Sequence, residues 1–224
     1  LSLHLSKIFY YSHCMKEKFP GTIPVFPLDG VIYFPKTNLP LNIFEERYLQ
    51  LVNDCLESNK LMGMVQSKKQ SEEVYNVGCL GKISEFKKSE DGRILINLTG
   101  IIRFEIKKEI SNTKLYREFE VQYDKFNSDI NYENKDLESK EEIKNLLNKT
   151  KNFFENNGLI LNWKEFEKLS KDQQINTLSM IAPISSEEKQ KLLETISLEE
   201  KSKTLSEIIE FYLHIKNFEK TKLQ

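Results

Sequence analysis

The sequence is poor in the features that mark secreted, membrane-spanning and nucleic-acid-binding proteins. It has three cysteines and a formal net charge of -1. No run approaches the roughly 18 apolar residues of a membrane span. An odd number of dispersed cysteines is typical of a reducing compartment and predicts the cytoplasm. Because lysine greatly exceeds arginine, the residue that nucleic-acid sites favour, we interpret the basic residues as solvated surface. The arginines number four: Arg47, Arg93, Arg103 and Arg117.

Catalytic motifs are equally scarce. A phosphate-binding loop requires Gly-x-x-x-x-Gly-Lys-Ser/Thr, and the nearest string, residues 78–82, has the wrong spacing and is interpreted as a β-bulge. Cys55 and Cys79 fall on apolar faces and are interpreted as buried thiols rather than nucleophiles. Three dispersed histidines and the absence of a Gly-x-Ser-x-Gly elbow leave no metal site and no nucleophile to assign. We therefore predict a non-enzymatic protein without a cofactor or a metal.

Hydrophobic periodicity divides the chain into a β-rich part and a helical part. Between residues 61 and 126 apolar residues recur at every second position, which predicts strands with one buried face. Beyond a polar, Asn-rich stretch the period becomes helical. We therefore predict an α+β protein with a leader (1–21), a β-rich subdomain (22–126) and a helical subdomain (127–224). Residues 1–14 lack a periodic apolar face and are interpreted as an upstream extension outside the fold.

Turn residues add detail to the β-rich part. Asp91-Gly92 predicts a tight hairpin turn, because both central positions of such a turn have positive φ. Three glycines are interpreted as bulges or bends where the sheet curls toward a barrel: Gly78, Gly81 and Gly100. One helix is predicted over residues 42–58, and its buried face carries Phe44, Tyr48, Val52, Cys55 and Leu56.

Five helices are predicted in the second part, near residues 136–156, 163–168, 171–181, 186–195 and 198–219. Capping boxes of the type Ser-x-x-Gln/Glu support the last three, beginning at Ser170, Ser185 and Ser197. The final helix carries an apolar stripe that we interpret as core packing between helices. The stripe consists of Leu205, Ile208, Ile209, Tyr212 and Ile215.

An ordered set of short motifs resembles one known family, the N-terminal domain of Lon proteases. IPVFPL at 23–28 leads through a proline-containing loop to LPLNIFEERY at 39–48, which is similar to the opening of that domain. Each motif is weak alone, but their order is specific over roughly residues 22–215. The later motifs are VGCLG at 77–81, DGR at 91–93, TGIIRF at 99–104 and LSMIAP at 178–183.

The resemblance implies a curled β-rich pseudo-barrel of the PUA-like type with one helix, followed by a helical bundle. In Lon proteases this region helps to recognise unfolded or tagged polypeptides, so the resemblance also implies a substrate-recognition role. The chain ends where the family's ATPase would begin. The resemblance therefore implies a free-standing form without the ATPase and peptidase parts.

Our leading hypothesis is a non-catalytic polypeptide-binding or adaptor module in protein quality control, with a separate ATP-dependent protease as a candidate partner and no membrane partner. Prolines at 35 and 40 remove backbone donors, so the loop is expected to present side chains rather than join a sheet. Extended chain would then bind by edge pairing and side-chain pockets. The alternative for each candidate residue is that it closes the β core. The candidates are Phe26, Tyr33, Phe34, Pro35, Leu39 and Leu41.

Two other functions remain open on the sequence. PUA-like architectures often bind RNA, for which Arg93, Arg103 and Arg117 are the candidate phosphate contacts, although the near-neutral charge disfavours nucleic acid. A clustered lysine face would favour RNA, whereas mixed charge around an apolar surface would favour a peptide. A small-molecule sensor is the third hypothesis, but no convergent polar set supports it.

Overall fold

The computed structural model describes residues 19–69, 71–130 and 140–222, so the predictions for residues 1–14 lie outside the described residues. The strands are β1 (Thr22–Leu28), β2 (Asn38–Ile43), β3 (Leu61–Gln66), β4 (Val77–Lys88), β5 (Ile94–Ile110) and β6 (Arg117–Gln122). Helix α1 (Glu46–Glu57) lies between β2 and β3. After a 3₁₀ helix (Asp124–Asp129) come α2 (Lys140–Asn156), α3 (Trp163–Phe166), α4 (Lys171–Ile181), α5 (Ser186–Glu194) and α6 (Leu198–Lys222). This order confirms the predicted α+β fold class.

Five strands close into a ring. Strand β1 pairs in parallel with β3 and antiparallel with β6, while β3–β4, β4–β5 and β5–β6 are antiparallel pairs. Because β6 bonds to both β1 and β5, the sheet returns on itself, which confirms the predicted pseudo-barrel. Strand β2 pairs with the first part of β5 and stands outside the ring. The outer side of β2 is therefore an edge of the sheet.

A four-residue turn joins β4 to β5. Gly92 N donates to the Ser89 carbonyl at 3.1 Å, and Ser89 N donates to the Arg93 carbonyl at 2.8 Å. Gly92 has a φ of 86°, whereas Asp91 is not among the residues with positive φ. The prediction that both residues have positive φ is wrong, because the turn is longer and places its glycine at the end.

The predicted glycine bulge is confirmed where the sheet bends. Leu80 pairs with Ile102 but Gly81 pairs with Gly100, so Ile101 is an extra residue on β5. A Cβ at position 100 would lie 2.2 Å from the Phe34 carbonyl oxygen. Because Gly100 has no side chain, the loop before β2 can pack directly against the sheet at this bend.

Helix α1 begins later than predicted. Asn42 and Ile43 belong to β2, where they pair with β5, and the helix starts at Glu46. Phe44 was predicted on the buried face of this helix but precedes it and is 65% exposed. The remaining prediction holds for the helix itself, because Tyr48, Val52 and Cys55 are buried.

The helices of the second part lie close to their predicted positions, and the predicted start of the first one, residues 136–139, lies outside the described residues. Ser170 N donates to Gln173 Oε1 at 3.2 Å, and Ser185 Oγ accepts from Glu188 N at 3.2 Å, which confirms two capping boxes. In the third, the Glu200 side chain accepts from Ile196 N rather than from the cap residue. Each cap satisfies amides that would otherwise lack partners at a helix start.

Barrel and helices share a hydrophobic core. One cluster of buried side chains includes Phe104 and Phe119 from the barrel together with Phe153, Leu205 and Ile209 from the helices. The core role predicted for the last helix is thus confirmed for Leu205 and Ile209. Burying each such side chain stabilises the fold by about 1.5–3 kcal/mol. Within the described residues, no helix combines the length and apolar composition that crossing a membrane requires.

Candidate functional site

The predicted binding residues 33–35 lie in a buried turn. Tyr33, Phe34 and Pro35 are buried, and Phe34 has no exposed surface. Lys36 then adopts a φ of 60°, and the Thr37 hydroxyl donates to the Phe34 carbonyl at 2.7 Å. These contacts form a compact turn that directs Phe34 into the core. The expectation that this loop presents its side chains is wrong for residues 33–35.

Backbone hydrogen bonds to β5 hold this turn in place. Lys36 N donates to the Gly100 carbonyl at 3.0 Å, and Gly100 N donates to the Thr37 carbonyl at 2.9 Å. The Lys36 ammonium also forms an ion pair with Asp172 on α4. The turn is therefore bound to the barrel on one side and to the helices on the other. Phe26, another candidate, is buried with its ring centroid 4.1 Å from that of Tyr48.

Leu39 and Leu41 belong to β2 and are half-buried. The expectation that the prolines keep this stretch out of the sheet is wrong, because residues 38–43 pair with β5 over their whole length. Proline is tolerated in an edge strand where its nitrogen points away from the neighbour. A second buried cluster joins the barrel to α1 and includes Ile43, Tyr48, Leu51, Ile96 and Leu98. Leu39 lies opposite Leu98 and Leu41 opposite Ile96, so both leucines are on the face of this second buried cluster.

Exposed apolar side chains surround β2 and the β4–β5 hairpin. Phe86 is 50% exposed and lies opposite Ile96, which in turn lies opposite Leu41. Leu95 is 46% exposed and points to the other face of the sheet, because neighbouring residues of a strand alternate. We call this region the open tip. It consists of Leu39, Leu41, Phe44, Phe86 and Leu95.

The charged residues around the open tip are of both signs, and two arginines among them form ion pairs with carboxylates. Arg47 forms an ion pair with Glu45 at 2.8 Å, and Arg93 forms one with Asp91 at 2.8 Å. Acidic and basic residues are interspersed along the β4–β5 hairpin, where Lys87, Lys88 and Arg93 lie among Glu85, Glu90 and Asp91. An apolar surface with a balanced charged rim suits an uncharged or weakly charged partner.

The arginines proposed as phosphate contacts are engaged by carboxylates. Arg103 is 2% exposed, and its Nη2 lies 2.7 Å from Asp129 Oδ1. Arg117 donates two hydrogen bonds to Glu109, at 2.7 and 2.6 Å. Arg93 is paired as described above. The buried guanidinium of Arg103 has no access to an external phosphate.

A buried lysine joins this turn to the helices, and sequence reasoning missed it. Lys201 Nζ donates to Asn176 Oδ1 at 2.7 Å and lies 5.1 Å from the centroid of the Phe34 ring. Asn176 Nδ2 donates in turn to the Pro35 carbonyl at 3.0 Å. Burial, followed by the nearby Arg103 charge, lowers the pKa of Lys201 to about 7. The available signal was its position four residues before Leu205, on the apolar stripe of α6.

The two thiols of the described residues are buried, and one polar cavity is lined by charged residues. Burial raises the pKa of Cys55 to about 12 and that of Cys79 further, so both thiols stay protonated. The described part of the chain holds no cluster of three metal-ligating side chains. A polar cavity of about 290 Å³ contains Lys125 and Glu105, which pair with each other at 2.9 Å. Such paired charges do not form a convergent set for a small molecule.

These features define the class of the protein as an α+β domain in which a closed pseudo-barrel, extended by one edge strand, shares a core with a helical bundle. A model of the ATP-dependent protease La (LON) substrate-binding domain matches residues 22–210. The chain therefore belongs to the Lon substrate-binding domain family.

Solved structures share this fold, and curated relatives agree with the family assignment. The chain is similar to a Lon N-terminal domain protein from Xanthomonas campestris, with a TM-score of 0.61, 21% identity, and coverage of 82% of this chain and 96% of that one. The N-terminal domain of the Mycobacterium avium complex Lon protease gives a TM-score of 0.60 at 17% identity, covering 84% and 98%. A Lon protease of Syntrophus aciditrophicus is 26% identical over 88% of this chain. The chain spans 26% of the length of that relative.

Proposed function

We propose that this chain is a non-catalytic module that captures extended or unfolded polypeptide segments on its open tip. The observation that carries the proposal is the group of exposed or half-buried apolar side chains beside the edge strand of a closed barrel. Leu39, Leu41 and Phe86 lie on one face of the sheet, Leu95 lies on the other, and Phe44 directly follows β2. Exposed apolar groups of this kind mark sites of protein interaction. Membership of the Lon substrate-binding domain family supports a polypeptide as the ligand.

In this proposal the module acts as an adaptor in protein quality control, and a separate ATP-dependent protease hydrolyses the captured chain. The relatives that match this chain carry the name Lon protease, which supports a partner of that kind. Two buried cysteines without a disulfide between them are compatible with the cytoplasm as the site of action. The geometry does not favour RNA, because the candidate arginines are held by carboxylates.

Binding of a permanently unfolded model protein, such as reduced and carboxymethylated lactalbumin, tests the proposal. Phe44 and Phe86 are at least half exposed, so the double variant Phe44→Ser/Phe86→Ser is expected to stay folded. Its dissociation constant should rise about tenfold or more, since anchor side chains each contribute about 1–3 kcal/mol. Fluorescence anisotropy measures the affinity, and circular dichroism checks the fold.

The matched control removes two apolar side chains elsewhere that are also at least half exposed. Leu115 is 55% exposed and Ile160 is fully exposed, and neither belongs to the open tip. Leu115→Ser/Ile160→Ser should bind with an unchanged dissociation constant. Equal losses in the two double variants would show unspecific hydrophobic binding, and undiminished binding by a folded Phe44→Ser/Phe86→Ser protein would contradict the proposal.

A further inference from the structure

The outer edge of β2 has backbone groups whose direction can be fixed. Gly100 N donates to the Thr37 carbonyl, so Thr37 faces β5. Bonding direction alternates along an antiparallel strand, so residues 39, 41 and 43 also face β5. The backbone groups of Asn38, Pro40 and Asn42 therefore point away from the sheet. Pro40 fits this position because it has no N–H to donate.

This edge offers two donors and three acceptors to a partner strand. The donors are the N–H groups of Asn38 and Asn42, and the acceptors are the carbonyls of Asn38, Pro40 and Asn42. Within the described part of the chain, none of these groups has a backbone partner. Natural sheets protect edges of this kind with charged side chains or proline, and β2, with the sequence NLPLNI, carries no charge. Its single proline, Pro40, removes one outward donor and leaves those of Asn38 and Asn42 available.

The side chains of β2 add a pattern to these backbone groups. Asn38, Pro40 and Asn42 are exposed on one face, while Leu39 and Leu41 are half-buried on the other. A strand added beside β2 places its own side chains alternately on these two faces. Apolar residues would pack beside Leu39 and Leu41, and polar residues would lie beside the asparagines.

We propose that the captured segment adds to β2 as an antiparallel strand, and that the module selects extended segments of about six residues in which apolar and polar residues alternate. This inference rests on the proposed function and names the class of substrate that the open tip takes. Main-chain hydrogen bonds supply sequence-independent affinity, and the face with Leu39 and Leu41 supplies the alternation. The six-residue length follows from the extent of β2.

Backbone N-methylation separates edge pairing from contact through side chains alone. The probe is a fluorescent peptide with four Val-Thr repeats, flanked by lysines for solubility. In antiparallel addition, the valines lie opposite Leu39 and Leu41 with their N–H groups pointing away from β2. The threonines lie opposite Asn38, Pro40 and Asn42 and donate to the three carbonyls.

Methylating every threonine nitrogen should weaken binding at least tenfold, whereas methylating every valine nitrogen should leave affinity within about threefold. A peptide of the same composition with valines and threonines in separate blocks should bind at least tenfold more weakly than the alternating one. The inference would be overturned if the two methylated peptides bound with equal affinity, or if the alternating and block peptides did. The proposed function survives that result if unfolded lactalbumin still binds in a manner that depends on Phe44 and Phe86.

A variant of the protein tests the same edge from the other side. Asn42→Pro removes an outward donor, and Asn42→Ser retains it, so the first should weaken peptide binding about three- to tenfold and the second should not. Sedimentation velocity of the unmodified protein adds a separate check. A dimer that Asn42→Pro dissociates would mean that a second copy occupies the edge, which would overturn the inference.

Discussion

Residues 33–37 and residues 38–43 follow one another in the chain, and each stretch contains apolar residues and one proline, but their surroundings differ. The first stretch turns between the barrel and α4, where Phe34 is fully buried. The second forms an edge strand that contacts the sheet on one side. Only the second can meet a partner without unfolding of its surroundings. The comparison shows that the exposure of a residue here depends on which elements cover it, since apolar residues and a proline occur in both stretches.

The largest loss of stability is expected from a substitution in the buried stretch, residues 33–37. Phe34→Ser removes a fully buried aromatic ring and leaves a hydroxyl in its place, so the free energy of unfolding should fall by about 3–5 kcal/mol. Urea denaturation followed by circular dichroism measures the fall. Phe44→Ser is the matched control, and its 65% exposed ring should cost less than about 0.5 kcal/mol. Similar losses in both variants would remove the difference between the two stretches.

Lys201 provides a second test of the buried stretch. Its ammonium lies against the Phe34 ring and donates to Asn176, which in turn donates to the Pro35 carbonyl. Its folded pKa of about 7 is below the ordinary value of 10.5. Between these values the unfolded chain binds the extra proton, so stability should increase as pH rises from 7 toward 10.5. Below pH 7 both states are protonated, and the full cost of burying the charge remains.

Lys201→Met removes this titration while keeping an unbranched side chain of similar length. The gap in unfolding free energy between wild type and variant should change by about 2–4 kcal/mol from pH 7 to pH 10 in favour of the wild type. Loss of the donor to Asn176 adds a constant cost that does not alter this slope. Lys203→Met, at an exposed position of the same helix, is the control and should follow the wild-type profile. Parallel profiles for all three proteins would contradict a depressed pKa at Lys201.

The order of elements was predictable because it depends on local periodicity. Alternation over residues 61–126 and the serine caps of the last helices locate strands and helices without knowledge of their partners. The turn at Gly92 shows the limit of local signals, because Asp-Gly occurs in turns of more than one length. Helix α1 shows another, since pairing with β5 extends β2 into residues that also fit a helical pattern.

Burial at the candidate site was not predictable from the same signals, because it depends on distant parts of the chain. Phe34 is enclosed by Gly100 and Lys201, which lie far from it in sequence. Arg103 has the appearance of a surface cation in the sequence, yet Asp129 neutralises it within the core. Such contacts decide whether a side chain is a binding anchor or a core residue. They join distant parts of the chain, so local sequence patterns do not reveal them.

The smallest loss of stability is expected within β2 itself. The comparison is between two residues on the same face of this strand. Leu41 and Ile43 both point toward the second buried cluster, but Leu41 is half-buried while Ile43 is 2% exposed. Leu41→Ala should reduce the free energy of unfolding by about 1 kcal/mol, because solvent already reaches the side chain and the strand edge can relax. Ile43→Ala should cost about 2–4 kcal/mol, because it leaves a cavity beneath α1.

Urea denaturation of both variants measures this difference, and binding of unfolded lactalbumin by Leu41→Ala shows whether the less costly position is the one that contacts a partner. Affinity should fall for Leu41→Ala although the protein keeps most of its stability, since an edge side chain contributes more to a complex than to the isolated fold. If Leu41→Ala and Ile43→Ala were equally destabilised, the edge of β2 would be as rigidly packed as its centre. The open tip would then begin beyond β2, at Phe44 and Phe86, and the boundary between buried and available residues would move with it.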